Sequence, residues 1–235
     1  MSGWVAKKFW NEAHAVATED GFRVELDGRP VKTPAKTTLI VPSRAMGDAI
    51  AAEWDAQEDE IKPETMPFTR SANAALDKVT IQFTEVADMI AEYGDSDLLC
   101  YRADSPSELA ERQAAAWDPL LDWADATFNA RLTPRTGVIH APQDPRALHN
   151  LRQIVHSFDT FELTALHDLV GLTGSLILGL AATQRYESPQ EIWERSRVDE
   201  RWQEQQWGVD DEASATENKK FAEFLHATKF FEAAK

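Results

Sequence analysis

Two stretches of this 235-residue chain bring together residue types that could do chemistry. The first is Gly94-Asp95-Ser96-Asp97. Two aspartates one residue apart could offer hard oxygen ligands to a divalent cation, with His140 as a third group of a metal-dependent enzyme. The plainer reading is that they cap the next turn, since Asp and Ser accept hydrogen bonds from free backbone N–H groups there. The second stretch is residues 191–207. Trp193, Ser196, Glu200, Gln203 and Trp207 recur at helical spacing and would form one face of a continuous helix. A packing helix would be apolar at all five positions, yet here two tryptophans bracket a carboxylate and an amide. Burying an unpaired carboxylate costs several kcal/mol, so Glu200 needs an internal partner such as Arg102, or it faces a groove or another protein.

Other catalytic patterns are missing. The chain has no Gly-x-Ser-x-Gly, no Gly-rich phosphate loop and no Gly-x-Gly-x-x-Gly. Its histidines, at 14, 140, 149, 156, 167 and 226, never fall three or four apart, so no helix offers a two-His metal face. His149 and His156 share a helical face at a spacing of seven, a weak site whose plainer reading is two ordinary histidines. The lone Cys100 sits in an apolar run and reads as a small buried hydrophobe. We expect no metal, no cofactor and no catalytic residue.

Charge narrows the partners. A net charge of −16 repels phosphate backbones and anionic membrane surfaces, and no basic cluster offsets it, so neither nucleic acid nor membrane insertion is expected. The longest apolar stretch, residues 169–182, is too short for a membrane span. The first residues carry neither a signal-peptide pattern nor a transit-peptide pattern. A monomeric protein of a bacterial cytoplasm is expected, or of the mitochondrial matrix if a leader has been removed.

The elements that must position these residues are of two kinds, so the fold class is α+β. A small antiparallel sheet opens the chain: strands at 14–18 and 22–26, turns at Asp20-Gly21 and Asp27-Gly28, then short strands at 31–33 and 38–41, with Pro30 and Pro34 confined to edges or turns. Ser43 caps a helix ending near Gln57. We place a domain boundary at residue 66, in a loop punctuated by Pro63 and Pro67, and expect residues 67–235 to be mainly helical. A helix opens at Thr80 and stops at Gly94. A capping box at Ser105–Glu108 starts another, which Pro119 kinks or splits. Residues 136–141 are extended, and Asp144-Pro145 begins the next helix. Residues 163–182 read as one central helix, with Gly171, Ser175 and Gly179 on a small-residue face. Ser188–Glu191 caps a helix that runs to Trp207-Gly208, and an acidic loop at Asp210–Glu212 precedes the last helix.

Several blocks then resemble one family. They are Lys8-Phe9-Trp10, the run from Leu26 to Pro34, Ala52-Glu53-Trp54-Asp55-Ala56-Gln57 and Met66-Pro67-Phe68-Thr69-Arg70. Further blocks are Asp97-Leu98-Leu99-Cys100-Tyr101-Arg102, Trp117-Asp118-Pro119-Leu120 and Asp199-Glu200-Arg201-Trp202-Gln203 followed by Trp207-Gly208. Together they are similar to the F1-ATP synthase assembly chaperones specific for the alpha subunit, over residues 7–212 or so. The resemblance implies a β-rich N-terminal domain, a helical C-terminal domain, no catalysis, and binding of the unassembled alpha subunit over the surface that later meets beta. It implies structural roles for Trp54, Asp97, Tyr101, Arg102 and Trp117. It makes Glu200 the acidic residue on which such a family depends, without settling whether Glu200 contacts the partner or organises the fold; our own expectation is that Asp199, Glu200, Trp202, Gln203 and Trp207 bind the partner. From the residues alone, a metal enzyme using Asp95 and Asp97 and a general acidic adaptor remain alternatives.

Overall fold

The computed structural model describes residues 7–235, a small antiparallel sheet followed by helices, as an α+β chain should be. β1 (Ala13–Thr18) pairs with β2 (Gly21–Leu26), Ala13 opposite Leu26 and Thr18 opposite Gly21. Period-two patterning holds in β2: Val24 and Leu26 are buried, while Arg23 and Glu25 share the other face and form an ion pair. Gly21 opens the strand rather than lying in the turn. β3 (Arg29–Pro30) and β4 (Ile40–Val41) both pair with the second edge of β2, which is therefore central. β4 falls within the strand expected at 38–41, whereas the stretch expected at 31–33 forms only an isolated bridge, Lys32 to Thr38, and β3 lies just before it. Pro30 enters the ladder opposite Glu25, an exposed outer position that asks no N–H of it.

α1 (Arg44–Asp55) starts where the sequence places it, with the Ser43 hydroxyl accepting from Met46 N at 3.1 Å. Met46, Ile50 and Ala51 are buried on its sheet side. Gly47 lets the backbones approach, since a Cβ there would sit 2.8 Å from that of Ala15. α2 (Pro67–Ala74), continued by a π turn over Ala75–Val79, lies at the start of the mainly helical part, in a stretch to which the sequence assigns no particular element. Its opening amides are held by Glu53, which accepts from Phe68 N at 2.6 Å and from Thr69 N and hydroxyl at 2.8 Å. Burial raises the Glu53 carboxyl above its ordinary value despite these bonds. Asp77 accepts from the Thr33 hydroxyl at 2.6 Å and Ala35 N at 3.0 Å.

The chain divides into two units. The first runs through Phe83 and takes in Asp159–Ala165 and Lys229–Lys235; the second comprises Thr84–Phe158 and Leu166–Thr228. This division differs from a boundary at residue 66, because the Glu53 and Asp77 bonds tie α2 and its π turn to the sheet unit.

The helical part contains α3 (Phe83–Glu92), β5 (Tyr101–Arg102), α4 (Ser107–Phe128), β6 (Arg135–Thr136), α5 (Pro145–Ser157), α6 (Thr160–Thr173), α7 (Leu176–Thr183), α8 (Pro189–Arg195), α9 (Val198–Trp207) and α10 (Asp211–Ala234). β5 and β6 form a parallel pair. Asp144 and Ser188 cap α5 and α8 as their sequences dictate. Three expectations are corrected. α4 begins one residue late, so Pro106 occupies the cap position without a side-chain acceptor, and Pro119 leaves the helix unsplit. The apolar run 163–182 is two helices: Gly174 turns at φ +72° and Ser175 caps α7 through Leu178 N. That removes the small-residue face, because Ser175 is a cap and Gly171 is exposed; only Gly179 approaches another backbone closely, beside Val170. Among the described residues no helix is long and apolar enough to cross a membrane.

Gly21 gives the sharpest test of the sheet. Its φ is +137°, and a Cβ there would lie 2.4 Å from the Val41 carbonyl oxygen. Gly21→Ala is expected to lower unfolding free energy by about 2 kcal/mol or more, read by urea denaturation at unchanged m.

Candidate functional site

The candidate partner-binding residues lie on α9 of the second unit, between α8 and the first half of α10. α8 is launched by a complete capping box in which the Ser188 hydroxyl accepts from Glu191 N while Glu191 accepts from Ser188 N. The helix does not continue to Trp207. It ends at Arg195, Ser196 N turns back onto the Ile192 and Trp193 carbonyls, and α9 starts afresh at Val198. The single face expected from Trp193 to Trp207 is therefore broken. Trp193 and Ser196 are buried, whereas Glu200 is partly exposed and Gln203 and Trp207 are exposed. At the break the Ser196 hydroxyl donates to the Trp193 carbonyl at 2.7 Å within the core.

Arg201 fastens the three helices. It bonds Glu194 of α8 at 2.9 and 3.1 Å, Glu204 of α9 at 3.2 Å, and Glu217 of α10. Donating hydrogen bonds to Glu194 and Glu217 holds the guanidinium well above its ordinary value, and Arg201 in turn outweighs burial to hold Glu217 below the usual carboxylate range. Gly208 ends α9 at φ +90°. The Asp210 carboxylate then accepts from Glu212 N at 2.8 Å and Ala213 N at 3.0 Å, so the expected acidic loop is the cap and first turn of α10.

These connections leave a groove of about 440 Å³ between α9 and the first half of α10. Glu200, Gln203, Glu204 and Trp207 line one wall; Glu212, Thr216, Glu217 and Lys220 line the other. Trp207 is 79% exposed and Val209, beside it in sequence, is 67% exposed. Glu200 pairs with Arg197 at 2.8 Å, not with Arg102. Of the second wall only the Asp210–Glu212 stretch was legible in the sequence, as an acidic loop; Thr216, Glu217 and Lys220 were not, although Asp210 followed by acidic residues and an Ala-containing run is an N-cap signal.

The remaining candidates are elsewhere. Asp199 accepts from Gln113 Nε2 at 2.7 Å, and Trp202 lies 4.8 Å beneath the Arg112 guanidinium; both face α4, away from the groove residues. Arg102 covers Trp117 at 5.2 Å, pairs with Asp118 at 2.7 Å and donates to the Leu99 carbonyl. The Trp117 indole donates to the Arg195 carbonyl at 2.7 Å, fixing the end of α8. Tyr101 is half-buried in β5, opposite Arg135. Trp54, in the first unit, packs edge-on against Trp10 at 5.2 Å.

Asp95 and Asp97 part company. Asp95 accepts from Gln143 N at 2.7 Å and meets His140 at 3.0 Å, while Asp97 is completely buried and accepts from Leu99 N and Ile177 N, both at 3.0 Å. The Asp97 carboxylate thus caps the Leu98–Cys100 turn and the start of α7. Among the described residues no three His, Cys, Asp or Glu are grouped to hold a metal. His156 is bonded to Asp88 at 2.6 Å, beside Arg152 on the same carboxylate. Burial, with the Asp97 charge nearby, pushes the Cys100 thiol up to about 12.

Residues 7–125 match the family model described as ATP12 chaperone protein. The crystal structure of Atp12 from Paracoccus denitrificans is 46% identical, with a TM-score of 0.95 over 98% of this chain and 99% of that one. An aspartate-to-lysine mutant of the same P. denitrificans protein superposes equally well, at 45% identity over 98% of both chains. Protein atp12, mitochondrial, of Schizosaccharomyces pombe is 21% identical over 90% of this chain and 77% of its own.

Burial holds the Asp97 carboxyl at about 6, above its ordinary 3.8. The folded state therefore binds that proton more tightly than the unfolded chain. The stability this contributes is complete below about 3.8 and lost as pH rises through about 6. Asp97→Asn removes the titration and leaves one acceptor oxygen where two served backbone donors. Unfolding free energy at pH 7 is expected to fall by about 1–3 kcal/mol, and the pH-dependence of stability between 4 and 6 to flatten, in urea titrations at several pH values.

Proposed function

The chain belongs to the ATP12 chaperone family, whose members serve ATP synthase assembly, and from that premise we propose that it binds the unassembled alpha subunit of F1 and shields the surface that later meets beta. The observation that carries this reading is the α9–α10 groove. It sets a largely exposed tryptophan beside partly satisfied carboxylates, on helices locked by Arg201. A rigid aromatic with a polar rim is the composition of protein interfaces rather than of catalytic clefts. An orphan subunit exposes an apolar patch that aggregates, and a protein that covers it stabilises the free form by mass action. Release to beta requires a modest, partly polar interface, which suits a groove open to water. In this reading the protein makes and breaks no bonds and acts in a bacterial cytoplasm.

Glu200 is the pivotal contact proposed, with Gln203 and Trp207; Asp199 and Trp202 act by holding α9 against α4. Glu200 is 45% exposed, and its single pair with Arg197 contributes little to stability.

Two outcomes test the reading. Tagged protein expressed with alpha subunit in cells lacking beta is expected to co-purify with alpha, and to keep it in moderate salt; loss at moderate salt would instead favour a general acidic adaptor. Glu200→Lys is expected to abolish that capture while circular dichroism is unchanged and Tm stays within a few degrees of the parent. A variant that unfolds would make Glu200 a structural residue.

A further inference from the structure

The second unit repeatedly places an arginine over a tryptophan. Arg102 covers Trp117 at 5.2 Å, Arg197 covers Trp193 at 4.9 Å, and Arg112 covers Trp202 at 4.8 Å. Trp123 instead packs against Phe128 and Tyr186. Trp207 alone in this unit has neither a cation nor a ring against it among the described residues, and it is the tryptophan that faces the groove. The groove is also unbalanced in charge: five carboxylates, Glu200, Glu204, Asp210, Glu212 and Glu217, stand against Arg197 and Lys220. Glu204 and Glu217 are taken by Arg201, and Asp210 by backbone amides. Glu200 commits one oxygen to Arg197, and Glu212 has no side-chain partner among the described residues. An indole face beside carboxylates with spare acceptor capacity is what a guanidinium recognises, by stacking in the plane of one and bonding in the plane of the other. An ammonium matches it less well, being a strongly hydrated point charge that does not stack flat.

We propose that the partner segment seated in this groove presents an arginine, its guanidinium stacked on Trp207 and bonded to Glu200, with Glu212 as the second carboxylate within the same groove. The inference rests on the reading above, that the groove receives the alpha subunit. It adds the chemistry of recognition: arginine rather than lysine, and Trp207 as the residue that discriminates.

The full chain and purified ATP synthase alpha subunit are mixed, and binding is measured for the parent, Trp207→Phe and Trp207→Leu. The same complexes are treated with phenylglyoxal, and the modified arginines of alpha are located by mass spectrometry. Trp207→Leu keeps apolar area but removes the π face, and is expected to weaken binding about tenfold, whereas Trp207→Phe restores most of it. At least one arginine of alpha is expected to be protected by the parent and Trp207→Phe but exposed with Trp207→Leu. A complex that forms without protecting any arginine, or a Trp207→Leu variant binding within about twofold of the parent, overturns this inference and leaves the alpha-subunit reading standing. No complex with the parent overturns that reading and this inference with it.

Discussion

Arg201 governs where the candidate surface is, because its guanidinium gathers carboxylates from three helices that the chain has already broken apart. α8 and α9 part at Ser196, and α9 and α10 at Gly208, so no backbone hydrogen bonding runs continuously through the segment. Glu194, Glu204 and Glu217 converge on one planar cation that offers a donor to each. In a chain of net charge −16, drawing three carboxylates together without that cation would add repulsion to desolvation. The groove is the space left beside this knot, and its width follows from the reach of the three side chains.

The same economy of charge recurs through the molecule. Much of the acidic excess is spent on backbone amides rather than on lysine and arginine. Glu53 serves the start of α2, Asp77 the loop after β3, Asp97 the start of α7, Asp144 that of α5 and Asp210 that of α10. Each carboxylate satisfies N–H groups that a helix end or turn leaves open, and at helix starts it also meets the favourable end of the dipole. The strongest case is Asp97, buried outright and still fully bonded, which is how a carboxylate is tolerated in a core.

A chaperone of an assembly intermediate must hold firmly and then let go. The division of α9 into two faces suits both demands. Asp199 and Trp202 face Gln113 and Arg112 of α4, so the helix is anchored independently of any partner. Glu200, Gln203 and Trp207 line the groove on the other side, so in the proposed function they could be covered and uncovered without unpacking the core. A preformed surface loses little conformational entropy on binding, and its polar rim keeps release accessible.

What the amino-acid order determined was whatever a residue and its near neighbours decide together. The caps at Ser43, Asp144 and Ser188 were legible because donor and acceptor lie within three residues; the hairpin at Asp27-Gly28 and the stop at Gly208 were legible because glycine's backbone freedom is local. The family blocks and the α+β order were readable for the same reason. The expected central helix over 163–182 and the expected face from Trp193 to Trp207 both failed at a single residue. Apolar periodicity reports burial, not continuity: buried Ser175 caps the start of a new helix, and buried Ser196 bonds back onto the last turn of α8. Nor could order alone separate Asp95 from Asp97, one half-exposed and the other sealed: the amide that completes Asp97's shell belongs to Ile177, eighty residues further along. Which carboxylates meet a guanidinium, which face of α9 is anchored and which is open, and where Trp207 ends up are decided by partners distant in the chain, because burial and pairing energies depend on who is near in space.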